Sequence, residues 1–451
     1  LSRSKDVRKA YLRHNESISM EVKLRFSLTD PSDKIVSMGD ATAVLGADAL
    51  LLTPSSGGPL NLSLRDFTSI EEGEYRISIH FRPIGSLLLF NAGFKYEDLV
   101  RALFRSVNEL ELKDLLMDER LLKQGVAADG TYIRSTKRSL GKCEVRLYET
   151  AMVVMPERAG LLRLKYRDVL GIDVNDYNLL VKLESGETLE LEKLGRELDP
   201  LRKALTDAVS DLSAKSQAMV KDTHPSADLA SVLGASHLLE DGRTAKRQDL
   251  EQACPGLWTS LEKKLSGYGI GEEYTFLKNI SYQNLVRIGI KRPLHAEEAQ
   301  DYIFFLAPVF SADEKKGGNA VAFEASSGED EGRATYFFRI WSRRAYPLPD
   351  AKLMELQADQ FSQELAEGLN AINFRREPIY LTEEALSTPE RSRYRYAIMR
   401  IPQLRLLREQ FIGKVVHSSP EQWKEDVAAL LAFNVAQKGD DATWKKADEG
   451  K

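Results

Sequence analysis

The stretch LLRLKYRDVLGIDVNDYNLLVKL, residues 161–183, repeats in outline the earlier stretch PLNLSLRDFTSIEEGEYRISIHF, residues 59–81. Each places an Arg–Asp pair between two apolar-alternating runs, Arg65–Asp66 and Arg167–Asp168, at a constant offset of 102 residues (168 − 66). Holding that offset without a gap pairs nineteen identical residues, from Gly39 with Gly141 to Leu110 with Leu212. Leu45, Pro54, Leu62, Ile70 and Tyr75 find their counterparts in Leu147, Pro156, Leu164, Ile172 and Tyr177. A match of that length at structurally meaningful positions is an internal duplication, and the first half of the chain is read as two copies of one unit.

Each copy carries the same local signals. ALLLTP and AMVVMP are short apolar runs closed by proline, as strands are. In LRLKYRD, strict alternation puts Leu162, Leu164 and Tyr166 on one strand face and Arg163, Lys165 and Arg167 on the other. Ser185–Gly186 marks a turn before a further strand. Each copy then closes with one amphipathic helix, with Leu99, Ala102, Leu103 and Val107 in the first and Leu201, Ala204, Leu205 and Val209 in the second at helical spacing. Asp199 followed by Pro200 is expected to open the second helix.

Several short antiparallel strands closed by one C-terminal helix, twice over, resembles a tandem pair of pleckstrin-homology-like (PH-like) barrels. The resemblance covers roughly residues 20–215. It implies a recognition module, since barrels of that kind bind peptides, partner domains or anionic lipid headgroups. Fold alone does not give function.

The organisation expected from sequence is an N-terminal extension (1–19), PH-like repeat 1 (20–115), repeat 2 (116–215), a polar Ser- and Ala-rich linker with some helix (216–254), a C-terminal α+β domain (255–435) and a disordered tail (436–451). The fold class is α+β. In the last domain YTFLKNI, LVRIGIK, YIFFLAPVF, NAVAFEAS and ATYFFRIW read as five strands. SADEKKGGN and SSGEDEG read as exposed hairpin loops, and helices are expected from Ala351 and after the Ser419–Pro420 cap.

Composition narrows the classes. A chain of 451 residues is long for one core. Its 29% charged residues and its longest apolar run, Tyr302–Phe310, are unlike a membrane-spanning chain, which needs roughly 20 apolar residues. The first twenty residues carry basic residues but no apolar stretch, so they are not read as a secretory signal. Two distant cysteines, Cys143 and Cys254, make no disulfide framework and suit a reducing cytoplasm. The net charge of −5 argues against a polyanion binder acting through its whole surface.

No catalytic or cofactor motif emerges. GYGIGEE at Gly267 lacks the spacing of a phosphate-binding loop and reads as a helix stop. KNISYQNLVRIGI shares Asn279 and Ser281 with the short motif of PilZ domains but has Asn284 where glycine is required. The six histidines are scattered singly, and neither cysteine has a local activating signature. The sequence therefore reads as a non-enzyme with no cofactor.

The most informative charged stretch is RSRYRYAIMRIPQLRLLR. Alternation would place Arg391, Arg393 and Arg395 on one strand face and Tyr394 and Tyr396 on the other, followed by Arg400, Arg405 and Arg408. RIWSRRAY adds Arg339, Trp341, Arg343, Arg344 and Tyr346. Of these, Arg339, Trp341, Arg343, Arg344, Arg391, Arg393, Arg395 and Arg400, together with Arg163, Lys165 and Arg167, are the candidate anion- or partner-binding residues. Basic side chains interleaved with aromatics are what a nucleic-acid groove needs, although opposite strand faces weaken that reading. The expected function is a cytoplasmic scaffold that recruits a protein partner through the PH-like pair. The alternative is an anionic ligand, nucleic acid or lipid headgroup, on the arginine-rich face of the C-terminal domain.

Overall fold

The computed structural model describes residues 20–81, 85–115, 119–291, 301–313, 315–326, 334–436 and 439–444. The chain divides into two compact units: residues 1–117, 121–206 and 392–399, and residues 118–120, 207–391 and 400–451.

The duplication is realised as two sheets of seven antiparallel strands with the same order. Repeat 1 runs β1 (Met20–Thr29), β2 (Ile35–Leu45), β3 (Ala49–Pro54), β4 (Leu60–Ser63), β5 (Phe67–Gly73), β6 (Arg76–Phe81) and β7 (Gly85–Phe90), then α1 (Tyr96–Asp114). Repeat 2 runs β8 (Leu121–Ile133), β9 (Lys137–Tyr148), β10 (Ala151–Pro156), β11 (Leu162–Lys165), β12 (Val169–Asn175), β13 (Asn178–Leu183) and β14 (Thr188–Glu192), then α2 (Leu198–Thr223). The spatial orders are β4-β3-β2-β1-β7-β6-β5 and β11-β10-β9-β8-β14-β13-β12. In each, the first strand joins two meanders and a helix follows the seventh strand, which is the PH-like arrangement. Asp199 lies in the first turn of α2 rather than at its cap, because a 3-10 turn at Gly195–Glu197 already leads into the helix.

The twice-written phrase now has a structural meaning. Each Arg–Asp pair sits in a 3-10 turn, Leu64–Asp66 and Tyr166–Asp168, which carries the chain from one meander to the other. The strand that follows is bulged at the same place in both copies, at Thr68 and Leu170. The next hairpin turns on two left-handed residues, Glu74 and Tyr75 (φ +50° and +60°), then Asp176 and Tyr177 (φ +47° and +66°). Such turns favour Asn–Gly, and each side chain held there costs about 1–2 kcal/mol. Both copies accept that cost.

The second unit is built on one antiparallel sheet: β15 (Thr244–Lys246), β16 (Arg287–Lys291), β17 (Tyr302–Val309), β18 (Ala320–Ser326), β19 (Ala334–Arg339) and β20 (Phe411–Val416), in that spatial order. Every residue of β16, β18 and β19 is buried, so helices cover both faces. One face packs on α3 (Leu229–Leu239), α4 (Arg247–Ala253), α5 (Leu257–Gly267) and α6 (Gly271–Ile280) through Trp258, Leu261, Tyr274, Ile288 and Phe305. The other packs on α7 (Ala351–Ala371), with Phe304 and Phe323 against Phe374 just beyond it. Short helices follow: α8 (Glu377–Tyr380), α9 (Glu383–Leu386), α10 (Ser392–Arg400) and α11 (Pro402–Gln410). All of α10 but Arg400 belongs to the first unit and puts Tyr396 in the core of repeat 1. Helix α12 (Pro420–Ala436) is the last helix among the described residues.

Four expectations need correction. Residues 216–254 are no linker: Val220, Val232, Ala235, Leu239 and Leu250 enter the core of the second unit. YTFLKNI is helix α6, because Tyr274 and Leu277, three apart, both pack inward. RSRYRY is helix α10 rather than an alternating strand; six residues are too few to fix a period, and burial of Tyr394, Tyr396 and Ala397 decides it. Within residues 436–451 the described piece 439–444 is packed, with Trp444 buried and its N–H donating to the carbonyl of Ile412 at 2.7 Å. The expected extension 1–19 and most of the SSGEDEG loop lie outside the described residues.

Candidate partner-binding surface

The arginines singled out from sequence are mostly consumed by the fold. Arg339 is buried; its Nε donates to Asn434 Oδ1 at 2.9 Å and its Nη1 to the carbonyl of Asp440. Burial pulls its guanidinium pKa below the usual value. Trp341 is buried, donating from Nε1 to Gln357 Oε1 at 2.7 Å. Arg343 is half-buried, its backbone N–H donating to Asp440 Oδ1 at 2.6 Å, and Arg344 is exposed. Arg391 faces Glu377 at 3.7 Å, and Arg393 lies over the ring of Tyr394. Arg395 pairs with Asp66 at 2.8 Å, and Arg400 is half-buried. Arg408 donates to the carbonyls of Pro378 and Leu381 at 2.7 and 2.9 Å.

Arg163, Lys165 and Arg167 do not form a solvated stripe. Strand β11 ends at Lys165, and the 3-10 turn rolls Arg167 inward, where its side chain is 1% exposed and 3.6 Å from Asp168. Arg339, Arg343, Arg344, Arg391 and Arg400 belong to one unit, and Arg163, Lys165, Arg167, Arg393 and Arg395 to the other.

Sequence reasoning missed how the two repeats are joined. Helix α1 packs one face into its own barrel and another against repeat 2. Asn108 on α1 is fully buried; its Nδ2 donates to the carbonyl of Ala159 at 3.0 Å, and its Oδ1 accepts from the N–H of Leu161 at 3.1 Å. Arg146 of β9 reaches Glu109 through both Nη atoms, at 3.0 and 2.6 Å. Leu112 packs on Val153 and Met155. The barrels of the two repeats therefore belong to one compact unit.

The seam leaves a cleft of about 550 Å³ between α1 and the outer side of β8–β10, where Ala102, Gly125 and Ala127 are too small to fill it. Arg101, Arg105 and Glu144 rim it and Cys143 lines its floor. Burial, aided by Asp129 and Glu157, pushes the Cys143 thiol up to about 12. A thiol kept protonated is a poor nucleophile. Native protein at mildly alkaline pH is expected to leave Cys143 unalkylated by iodoacetamide, with labelling only after denaturation; mass spectrometry of the tryptic peptide checks this.

What remains free is an edge. β12 ends its sheet order and, among the described residues, pairs only with β13. Leu170, thrown outward at the bulge, is 72% exposed, Val174 45% and Tyr177 86%. Repeat 1 has Thr68 and Glu72 where repeat 2 has Leu170 and Val174. Natural sheets usually protect an edge with charge; copy 1 does so, and copy 2 bares its own. The tyrosine at each turn was legible as a repeat identity at a position where glycine or asparagine belongs.

The fold and this edge define a class: a tandem PH-like pair fused in sequence to an α+β unit. No family model and no curated protein matches the sequence. Among solved structures, the Spt16D Pob3N heterodimer is similar at a TM-score of 0.17 and 10% identity, over 37% of this chain and 84% of that one. No helix among the described residues is long and apolar enough to cross a membrane, and no group of three or more His, Cys, Asp or Glu among them is placed to hold a metal ion.

Proposed function

We propose that this is a non-enzymatic interaction protein whose welded PH-like pair recruits a protein partner along the β12 edge of repeat 2. The observation that carries this is that Leu170 and Val174 on an end strand, with Tyr177 in the turn that follows, are left in solvent. An end strand offers unpaired N–H and C=O groups for strand addition, and its exposed side chains supply the contact area. The hydrogen-bonded seam favours such a role, since a preorganised surface loses less entropy on binding. The alternative of an anionic ligand on the arginine-rich segments gains less support, because Arg339, Arg391, Arg395 and Arg408 are already engaged.

The test compares affinity purification from the native cell on the full chain, on Leu170→Lys/Val174→Lys and on Thr68→Lys, at low and high salt. The expected result is a stoichiometric partner that survives high salt, is kept by the repeat 1 variant and is lost by the repeat 2 variant. Burial of each apolar side chain is worth about 1.5–3 kcal/mol, so each loss weakens binding at least about tenfold. Recovery only of nucleic acid or lipid, lost as salt rises, would overturn the reading.

A further inference from the structure

We propose that the partner at this edge is a basic protein segment, its cationic side chains held by the acid–tyrosine pairs at the tips of the β5–β6 and β12–β13 hairpins. This rests on the edge reading and specifies the partner's chemistry.

Four observations converge. Glu74–Tyr75 and Asp176–Tyr177 occupy the same position in both copies, although the flanking surfaces have diverged from Thr68 and Glu72 to Leu170 and Val174. Both pairs sit in the left-handed region, where a glycine would be relaxed. Strain retained at an exposed site points to a role outside the fold. Tyr75 and Tyr177 are 75% and 86% exposed, leaving aromatic side chains in solvent. Finally, the tips are acidic. Glu71 and Glu72 adjoin the first pair, and Asp173 adjoins the second.

An aromatic face beside a carboxylate matches a lysine or arginine, which gains a cation–π contact and an ion pair together. The same carboxylates would repel nucleic acid and an anionic membrane, the other surfaces that exposed aromatics could serve. The two tips are unequal. Tyr75 packs edge-on against Tyr96 with centroids 5.5 Å apart, and Arg76 follows it, whereas Asn178 follows Tyr177. Glu72 is also drawn on by Tyr96 and Arg158, and Asp173 by Lys182 at 2.8 Å. The second tip is therefore the stronger of the two.

The test titrates the full chain into a fluorescein-labelled peptide of alternating lysine and serine, followed by anisotropy, with the glutamate–serine peptide and phosphatidylserine-containing vesicles as the other probes. Tyr177→Ser keeps every charge and is expected to weaken the lysine peptide about tenfold, and Tyr75→Ser by less. Asp176→Asn/Tyr177→Gly is expected to raise the thermal midpoint by relieving the turn while losing at least as much binding. That pairing cannot arise from misfolding. Tyr177→Ser binding as wild type would reduce the effect to the chain's net negative charge and overturn the proposal. Preference for the glutamate peptide or the vesicles would overturn it equally. Loss in Tyr177→Ser with full binding in Leu170→Lys/Val174→Lys would uphold the tips and sink the edge reading, whereas the reverse would uphold the edge and sink the tips.

Discussion

Asp359→Ala is expected to cost the second unit about 3–5 kcal/mol, the range for removing one partner of a buried ion pair. Asp359 stands on α7, and its Oδ1 accepts from Arg287 Nε and Nη2 at 3.0 and 2.8 Å. Its Oδ2 accepts from Lys246 Nζ at 2.8 Å. The Arg287 side chain is only 5% exposed, so without the carboxylate a guanidinium remains buried with the carbonyl of Thr244 as its remaining neutral acceptor. Burial pushes the Asp359 carboxyl up, but Lys246 and Arg287 together outweigh it and hold the pKa below the usual carboxylate value. In the unfolded chain that value returns to about 3.9. The unfolded state then binds more protons in acid, so this contribution is present above the unfolded pKa and is lost as pH falls through the folded one. Urea unfolding of wild type and Asp359→Ala as a function of pH checks both claims. The gap between them should narrow as pH falls into the carboxylate range.

Asn108→Ala is expected to unlock the repeats. The substitution leaves the N–H of Leu161 and the carbonyl of Ala159 without their side-chain partners. Each group left unpaired costs about 1–3 kcal/mol where water cannot replace the bond. The local readout is amide exchange: Leu161 should lose protection in the variant, while amides at the centre of β1 and β2 keep theirs. Unchanged exchange at Leu161 would show that Asn108 does not hold the seam. Because the seam includes Arg146 with Glu109, the substitution should loosen the pair of barrels before it unfolds either one.

How much of this could be read from the chain differs by length scale. The duplication, the strand runs and the closing helices are written in local periodicity, and Leu62, Leu64, Leu164 and Tyr166 all lie in cores as alternation requires. Some helix was expected between 216 and 254, but not its place in a core, because Ala235 and Ser236 are buried without an apolar period that stands out from a polar linker. Alternation also misled at Arg167, where the strand ends at Lys165, two residues before the pattern does. The basic residues were visible but their partners were not: Arg339 meets Asn434, and Arg395 meets Asp66, across separations no window can see. Leu170 and Val174 are the opposite case. An apolar residue in an alternating strand reads as core, whereas the bulge throws Leu170 outward and the sheet order leaves β12 an end strand, so both residues stand in solvent.

The central claim, that the β12 edge of repeat 2 is where a partner docks, is tested most directly by a photo-crosslinking amino acid placed at position 170 in one chain and at position 68 in another, each expressed in the native cell. The account predicts a discrete protein adduct from position 170, resistant to high salt, and none from position 68. Adducts of equal yield from both positions, or none from position 170, would contradict it.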